Sequence, residues 1–135
     1  AIKPAKPFAF GTIDTGGRSV PVFGLPGNPV SSMVSFELFA RPGLRRMAGH
    51  TSVDRPTMTV LAGEDFTRRT DGKTHFARVV VSAGEGDRYV ARSAGGQGSH
   101  HLAAMAHANG LAVIEDGDGV AAGDLVDVLL VEPLA

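Results

Sequence analysis

The chain has no cysteine and no tryptophan, and only one tyrosine. Without cysteine there is no disulfide and no thiolate metal site, and the redox compartment is left open. Aromatic residues make up 6% of the sequence, and none is interleaved with basic residues in the way a nucleic-acid stacking surface requires. Neither sign of charge dominates: 13 Lys and Arg stand against 14 Asp and Glu, for a net charge of -1. That balance removes any strong field toward nucleic acid or a membrane. No apolar run approaches the length of a membrane span, and Ala1-Ile2-Lys3-Pro4 is not a signal peptide. The opening reads instead like the middle of a longer protein. Internal repeats and low-complexity tracts are also missing. What remains is 135 residues, 43% hydrophobic and 20% charged, which predicts a folded, soluble chain of one ordinary or two small domains.

The hydrophobic pattern divides the chain in two. Phe8-Ala9-Phe10-Gly11-Thr12-Ile13 predicts a short buried strand, Asp14-Thr15-Gly16-Gly17 a turn, and residues 20–23 a second strand, together a β-hairpin. Residues 30–40 are almost wholly apolar or small. Val30, Val34 and Leu38 form one helical stripe, and Met33, Phe36 and Ala40 form a neighbouring one. A surface that wide predicts a helix covered on most sides, by a sheet or by a partner chain. Pro42 is expected to break or kink it near Arg41, with one more turn over 43–47 closed by Gly49. Residues 50–56 are polar and irregular and predict a linker. Beyond it, strands are expected at 57–62, 74–82, 87–93, 110–115 and 124–132, with a helix over 99–108 capped by Ser99. Short strands between Gly, Asp and Ser clusters predict a small antiparallel barrel or sandwich. The expected fold class is α/β plus all-β: residues 1–50 close an incomplete α/β domain, and residues 54–135 form a small β-barrel or sandwich domain.

The strand-to-helix connection Gly24-Leu25-Pro26-Gly27-Asn28-Pro29-Val30-Ser31 carries the most chemistry. Its glycines allow a sharp turn and close approach of a ligand. Asn28 suits a helix N-cap, and Pro29 suits the first helical position, where no N–H is needed. The amides of Val30 and Ser31 and the Ser31 hydroxyl can then face an oxyanion. A plain capped turn is the reading that stands beside it. The loop is neither a nucleotide P-loop nor Gly-x-Gly-x-x-Gly.

This loop does not stand alone. Phe36-Glu37-Leu38-Phe39 and Arg41-Pro42 follow it, Lys3-Pro4-Ala5-Lys6-Pro7 precedes it, and Gln97-Gly98-Ser99 and Ala108-Asn109-Gly110-Leu111 come later. Together these motifs closely resemble the molybdopterin molybdotransferase family, which includes MoeA and the gephyrin E-domain. The resemblance covers nearly the whole chain. It implies the C-terminal part of a cytoplasmic enzyme of molybdenum cofactor biosynthesis, one that inserts molybdate into adenylylated molybdopterin with the help of Mg²⁺. It also implies a homodimer, with the active site between the molybdopterin-binding-like α/β domain of one subunit and the β domain of the other.

The resemblance assigns a set of substrate-binding residues. Lys3, Lys6 and Pro7 match the two lysines and final proline of a family Lys-Pro-Gly-Lys-Pro segment, with Ala5 in place of its glycine. Pro26, Gly27, Asn28, Pro29 and Ser31 match the helix-start motif, and Ser99 matches a family serine near the same site. Lys73-Thr74-His75-Phe76-Ala77-Arg78 stands where the family has Arg-x-[Glu/Asp]-Phe-x-Arg. Lys73 keeps the charge but loses the bidentate fork, His75 replaces a carboxylate, and Arg78 is retained, with a plain strand-face charge as its other reading. Molybdate is a tetrahedral dianion, so cations, hydroxyls and oriented amides are the groups that hold it. The fragment itself carries no assigned catalytic residue and no metal ligand. The Mg²⁺-binding carboxylates are expected upstream of Ala1, and the fragment alone is expected to be inactive.

Other clusters have plainer readings. His100, His101 and His107 read as a helix-surface group, because a durable metal site needs more ligands than they supply. Glu115, Asp116 and Asp118 lack calcium-loop spacing and read as a solvated turn. Asp124 and Asp127 read as structural residues at strand ends. The alternative function is a gephyrin-like scaffold or peptide-binding module built on the β domain, with no need for Lys3, Lys6 or Ser31. A molybdopterin adenylyltransferase is a weaker rival, since it has no counterpart to residues 54–135.

Overall fold

The computed structural model describes residues 2–4, 8–27, 29–94 and 107–134. In chain order its elements are β1 (Ile2–Lys3), β2 (Ala9–Thr15), β3 (Arg18–Gly24), α1 (Pro29–Ser35), a π-helical turn (Phe36–Ala40), α2 (Arg41–Met47), β4 (Thr57–Ala62), β5 (Phe66–Thr67), β6 (Thr74–Ala83), β7 (Tyr89–Ser93), β8 (Gly110–Ile114), β9 (Gly119–Val120) and β10 (Leu125–Leu130). The expected helix over 99–108 lies outside the described residues except at its end, where His107 is helical and Ala108 is not. Two compact units emerge, Pro4–Val53 on one side and Asp54–Ala135 with the first three residues on the other. The boundary falls inside the predicted linker. β1 joins the C-terminal unit because it pairs with β6, whereas its place in the sequence had put it with residues 1–50.

The C-terminal unit is a closed barrel. Its strands run β6-β7-β4-β10-β8, and β8 pairs back onto β6 to complete a five-stranded ring. The expectation of a wholly antiparallel sheet needs correcting. β4 and β7 are parallel, as are β1 and β6, while the other ring pairs are antiparallel. The reason is topological: direction cannot alternate all the way round a ring with an odd number of strands. The core is built from Val60, Ala62, Val79, Val81, Ala91, Ala112, Ile114, Val126 and Val128, all at 3% exposure or less. Such small and β-branched side chains suit the narrow interior of a small barrel. β1, β5 and β9, two residues each, were not anticipated, being too short to show any period.

The 4–53 unit is a hairpin and a helix. β2 and β3 close on Gly16-Gly17, whose φ values of 55° and 78° give the left-handed pair that a type I′ turn demands. The expected burial of the first strand is not found: all seven residues of β2 are exposed, because a two-stranded ribbon leaves faces uncovered unless another layer packs on them. Aromatic contacts brace the unit, with Phe10 and Phe23 rings 5.2 Å apart and Phe8 and Phe39 rings 4.9 Å apart. α2 packs closely on β3, since a Cβ at Gly43 would lie 2.7 Å from Cζ of Phe23.

Pro42 does not break the helix. The chain widens one turn earlier, where the Arg41 N–H donates to the Phe36 carbonyl, and Pro42 then sits in the first turn of α2. The π turn shifts the hydrogen-bond register by one residue just where proline has no N–H to give. α2 ends as expected at Gly49: the Gly49 N–H donates to the Arg46 carbonyl and the His50 N–H to the Arg45 carbonyl, both at 3.0 Å, a Schellman motif. Of the two predicted stripes, Val30, Val34 and Ala40 are buried, but Met33 and Phe36 are exposed. Within this chain the helix is therefore covered on one side rather than on most.

Candidate functional site

At one end of the barrel the segment between β5 and β6 wraps around a single guanidinium. The Arg68 side chain is 3% exposed. Its Nη1 donates to the carbonyls of Lys73 at 2.7 Å, Ile114 at 3.0 Å and Glu115 at 3.1 Å, and its Nε to that of Arg69 at 3.2 Å. Nη2 donates to Oδ1 of Asp71 at 2.7 Å and Oδ1 of Asp116 at 2.9 Å. Asp116 also accepts the backbone N–H groups of Asp71 and Gly72, both at 3.0 Å. It is therefore a clamp between the segment before β6 and the turn after β8, not the solvated residue its sequence neighbourhood predicts. Asp71 accepts the Lys73 N–H at 3.0 Å through Oδ1 and meets Nε2 of His75 at 2.8 Å through Oδ2. The hydrogen bond with His75 is the main reason the Asp71 carboxyl is held below its ordinary pKa. Partial burial opposes it, and the Lys73 N–H and the charges of His75 and Arg68 add to it.

Three of the predicted residues lie on this barrel. Lys3 is exposed and pairs with His75 in the parallel ladder between β1 and β6. Paired residues on adjacent strands project to one side about 4.8 Å apart, so Lys3 and His75 share a face. Lys73 stands half-buried immediately before β6, with its backbone bound into the Arg68 knot. Arg78 does not join them. It is three residues further along β6 and so on the opposite face, paired with Leu111 and only 1% exposed. A plain strand-face charge would be solvated. Here burial instead pushes the Arg78 guanidinium below its ordinary pKa.

The other described residues of the predicted set lie in the 4–53 unit. Pro26 is buried, Gly27 is exposed, α1 starts at Pro29 as expected, and Ser31 is half-buried one turn from the buried Val34. Lys6, Pro7, Asn28 and Ser99 lie outside the described residues, as do Gln97, Gly98, His100 and His101.

One motif has a structural role. The Asn109 carboxamide accepts the Val81 N–H at 2.7 Å and donates to the Val81 carbonyl at 2.9 Å, standing in for a strand residue beside β6. Next to it, a Cβ at Gly110 would lie 2.5 Å from Cγ1 of Val128. Ala108-Asn109-Gly110-Leu111 thus locks the barrel wall.

Sequence reasoning missed Arg68. A lone arginine between short strands carries no spacing signal, and its acidic partners are three and 48 residues away. Asp127, expected at a strand end, lies within β10 and accepts the Thr59 hydroxyl at 2.6 Å. A shallow cavity of about 380 Å³ beside the knot is lined by Glu115, Asp116, Asp118, Leu125 and Asp127 among others. Among the described residues, no group of three His, Asp or Glu is placed to hold a metal ion, and no helix is long and apolar enough to cross a membrane.

Residues 59–131 match the family model described as MoeA C-terminal region (domain IV). Over 129 residues, 95% of this chain, the sequence is 33% identical to a molybdopterin molybdenumtransferase of Haemophilus influenzae, of which it covers 31%. It is 38% identical over the same length to molybdopterin molybdenumtransferase 2 of Mycobacterium tuberculosis, of which it covers 30%. The chain therefore spans just under a third of the length of these relatives. Among solved structures, the molybdopterin biosynthesis moeA protein of Pyrococcus horikoshii OT3 superposes with a TM-score of 0.71 at 27% identity, over 96% of this chain and 30% of that one.

Proposed function

From the premise that this chain belongs to the MoeA C-terminal region (domain IV) family, we propose that it is the C-terminal part of a molybdopterin molybdenumtransferase, which inserts molybdate into adenylylated molybdopterin. The observation that carries this reading is that enzymes of that name match both units in order, over 95% of the chain. In this reading residues 4–50 belong to a molybdopterin-binding α/β domain whose remainder lies elsewhere in the protein, and residues 54–135, joined by β1, are the β-barrel domain that follows it.

The chemistry asks for a holder of a tetrahedral dianion. Lys3 and Lys73 supply positive charge at the barrel end, and Lys6 is added by its match to the family, while Arg78, turned to the other face of β6 and buried, is left out of the set. By their match to the family motif, Pro26, Gly27, Asn28, Pro29 and the Ser31 hydroxyl are assigned to the oxyanion as well, and Pro7 and Ser99 are assigned by two further motifs. No protein nucleophile is needed when the substrate's own sulfurs bind the metal. These residues position the oxyanion and neutralise its charge. Magnesium asks for several carboxylate or carbonyl oxygens. Asp71 and Asp116 are committed to Arg68 and to backbone N–H groups, and no described cluster fits a metal ion, so we assign the Mg²⁺ ligands to the rest of the protein.

A cytoplasmic homodimer completes the proposal. The support for the dimer is the apolar surface of the 4–53 unit, where Phe10 is 63% exposed, Ile13 59% and Met47 57%. Surface of that kind is normally covered by more chain or by a partner. Replacing Ser31 and Lys6 by Ala in the full-length protein tests the site. Molybdate-dependent cofactor formation is expected to fall at least about tenfold, the loss of one good charged contact to the anion. Unchanged formation overturns the site.

A further inference from the structure

Four places in the sequence set Asp or Asn directly before Gly: Asp71-Gly72, Asn109-Gly110, Asp116-Gly117 and Asp118-Gly119. Glycine puts no Cβ beside its own nitrogen, so that nitrogen can approach the preceding side-chain carbonyl carbon closely. We propose that Asp118-Gly119 is the one of the four at which the folded chain modifies itself, closing to a succinimide and reopening in part as isoaspartate. The step needs only water. The Gly119 nitrogen attacks Cγ of Asp118 and a C–N bond forms. A carboxyl oxygen leaves as water, taking the nitrogen's proton and the carboxyl proton. Water then adds to either ring carbonyl. Addition at the side-chain carbonyl restores aspartate, and addition at the backbone carbonyl leaves the chain running through the side chain.

The contrast among the four carries the argument. Three of the side chains are pinned away from the following nitrogen. Asp71 is bonded to Arg68, to the Lys73 N–H and to His75, and the Gly72 N–H that would attack it donates instead to Oδ2 of Asp116. Asp116 is bonded to Arg68 and to the Asp71 and Gly72 N–H groups. The Asn109 carboxamide is bonded through both its oxygen and its nitrogen to the backbone of Val81. Each must give up such bonds before its carbonyl carbon can turn toward the next residue, and bonds to charged partners are the costlier to break.

Asp118 is under no such restraint. It is exposed, and among the described residues no hydrogen bond or ion pair holds its carboxylate. Asp118 and Gly119 both line the shallow cavity beside the knot, where water reaches them. The attacking nitrogen is available too. Gly119 pairs with Thr67 in the short β5–β9 ladder, and the Arg68 N–H donates to the Asp118 carbonyl at 3.4 Å. In an antiparallel ladder that bond brackets a non-hydrogen-bonded pair, so the Gly119 N–H is not a rung. The modification has a structural consequence. Isoaspartate lengthens the backbone by one carbon and turns the Asp118 carbonyl into a free carboxylate. The β5–β9 pairing next to Arg68 is then lost.

Ageing the folded chain in water enriched in heavy oxygen tests the proposal. Each opening of a succinimide leaves one heavy oxygen in the side chain or the new carboxylate, which peptide mass spectrometry reads after digestion in ordinary water. The Asp118 site is expected to take up label at least about tenfold faster than Asp71, Asn109 or Asp116, the cost of breaking one good bond to a charged or backbone partner. Asp118→Glu keeps the charge but disfavours the five-membered ring, and is expected to remove the label from that peptide. Label that persists there places the ring at Asp116 and overturns the assignment. So does an absence of label at Asp118, or uptake at any of the other three sites as fast as at Asp118. In the chain unfolded by urea, the three pinned sites are expected to label at least as fast as Asp118. A lag at those sites that survives unfolding belongs to the sequence and overturns the structural cause.

Discussion

Among the described residues, ten apolar side chains of the barrel, from Val60 to Val128, lie at 3% exposure or less, whereas in the 4–53 unit only the apolar Val30, Val34 and Ala40 reach that depth. The hairpin–helix unit leaves Phe10, Ile13, Met33, Leu44 and Met47 at 45% exposure or more. The barrel's ring closes on itself, so each of its strands has two neighbours and one interior to fill. A two-stranded ribbon with one helix has no second layer for its outer face. The barrel is thus a self-sufficient fold, while the 4–53 unit is a surface awaiting cover.

The sharpest way to break that contrast is to weaken each unit in turn. Ile114→Ala removes a core side chain that is 3% exposed, and is expected to lower the unfolding free energy of the barrel by about 2–4 kcal/mol in a urea titration. A loss under about 0.5 kcal/mol would mean that the core is not the source of the barrel's stability. A smaller effect is expected from acid. Asp71 has a lowered folded pKa, so its contribution is fully present above its unfolded value near 3.8 and is lost as pH falls through the folded value. Asp71→Asn should therefore flatten the fall in melting temperature below about pH 4, and an unchanged slope would show that the knot adds nothing there. The least effect on folding belongs to the hairpin. Phe10→Ser combined with Ile13→Thr should leave the barrel transition within about 0.5 kcal/mol of wild type while reducing self-association by light scattering. Equal association in both proteins would mean that this face is not what drives contact.

The sequence made the repetitive parts legible. β4 was predicted to the residue, and β6, β7, β8 and β10 to within two residues at each end, because apolar runs bounded by Gly and Asp mark such strands. The turn at Gly16-Gly17 and the helix stop at Gly49 were equally readable, since each depends on a local backbone requirement. The passage of the helix through Pro42 was not, because the π turn that admits it forms upstream of the proline. Of the candidate site, Lys3 of β1 is brought beside His75 of β6, two residues on from Lys73, whereas Arg78 is turned to the other face of β6. The Arg68 knot was invisible for a different reason: its members are drawn from positions 68, 71, 75 and 116 by the closing of the barrel.

What the sequence determined by itself was local: the periodicity of strands and helix, the turns, the linker, and a set of motifs shared with one family. What the tertiary structure decided was which charges meet. Lys3, an isolated lysine near the start of the chain, becomes the neighbour of His75 because a two-residue strand hydrogen-bonds to β6. Asp116 becomes a clamp because β8 lies beside β6 in the ring. Hydrogen bonding and Coulomb attraction act over a few ångströms, so a polar cluster exists only where the chain has already folded back on itself.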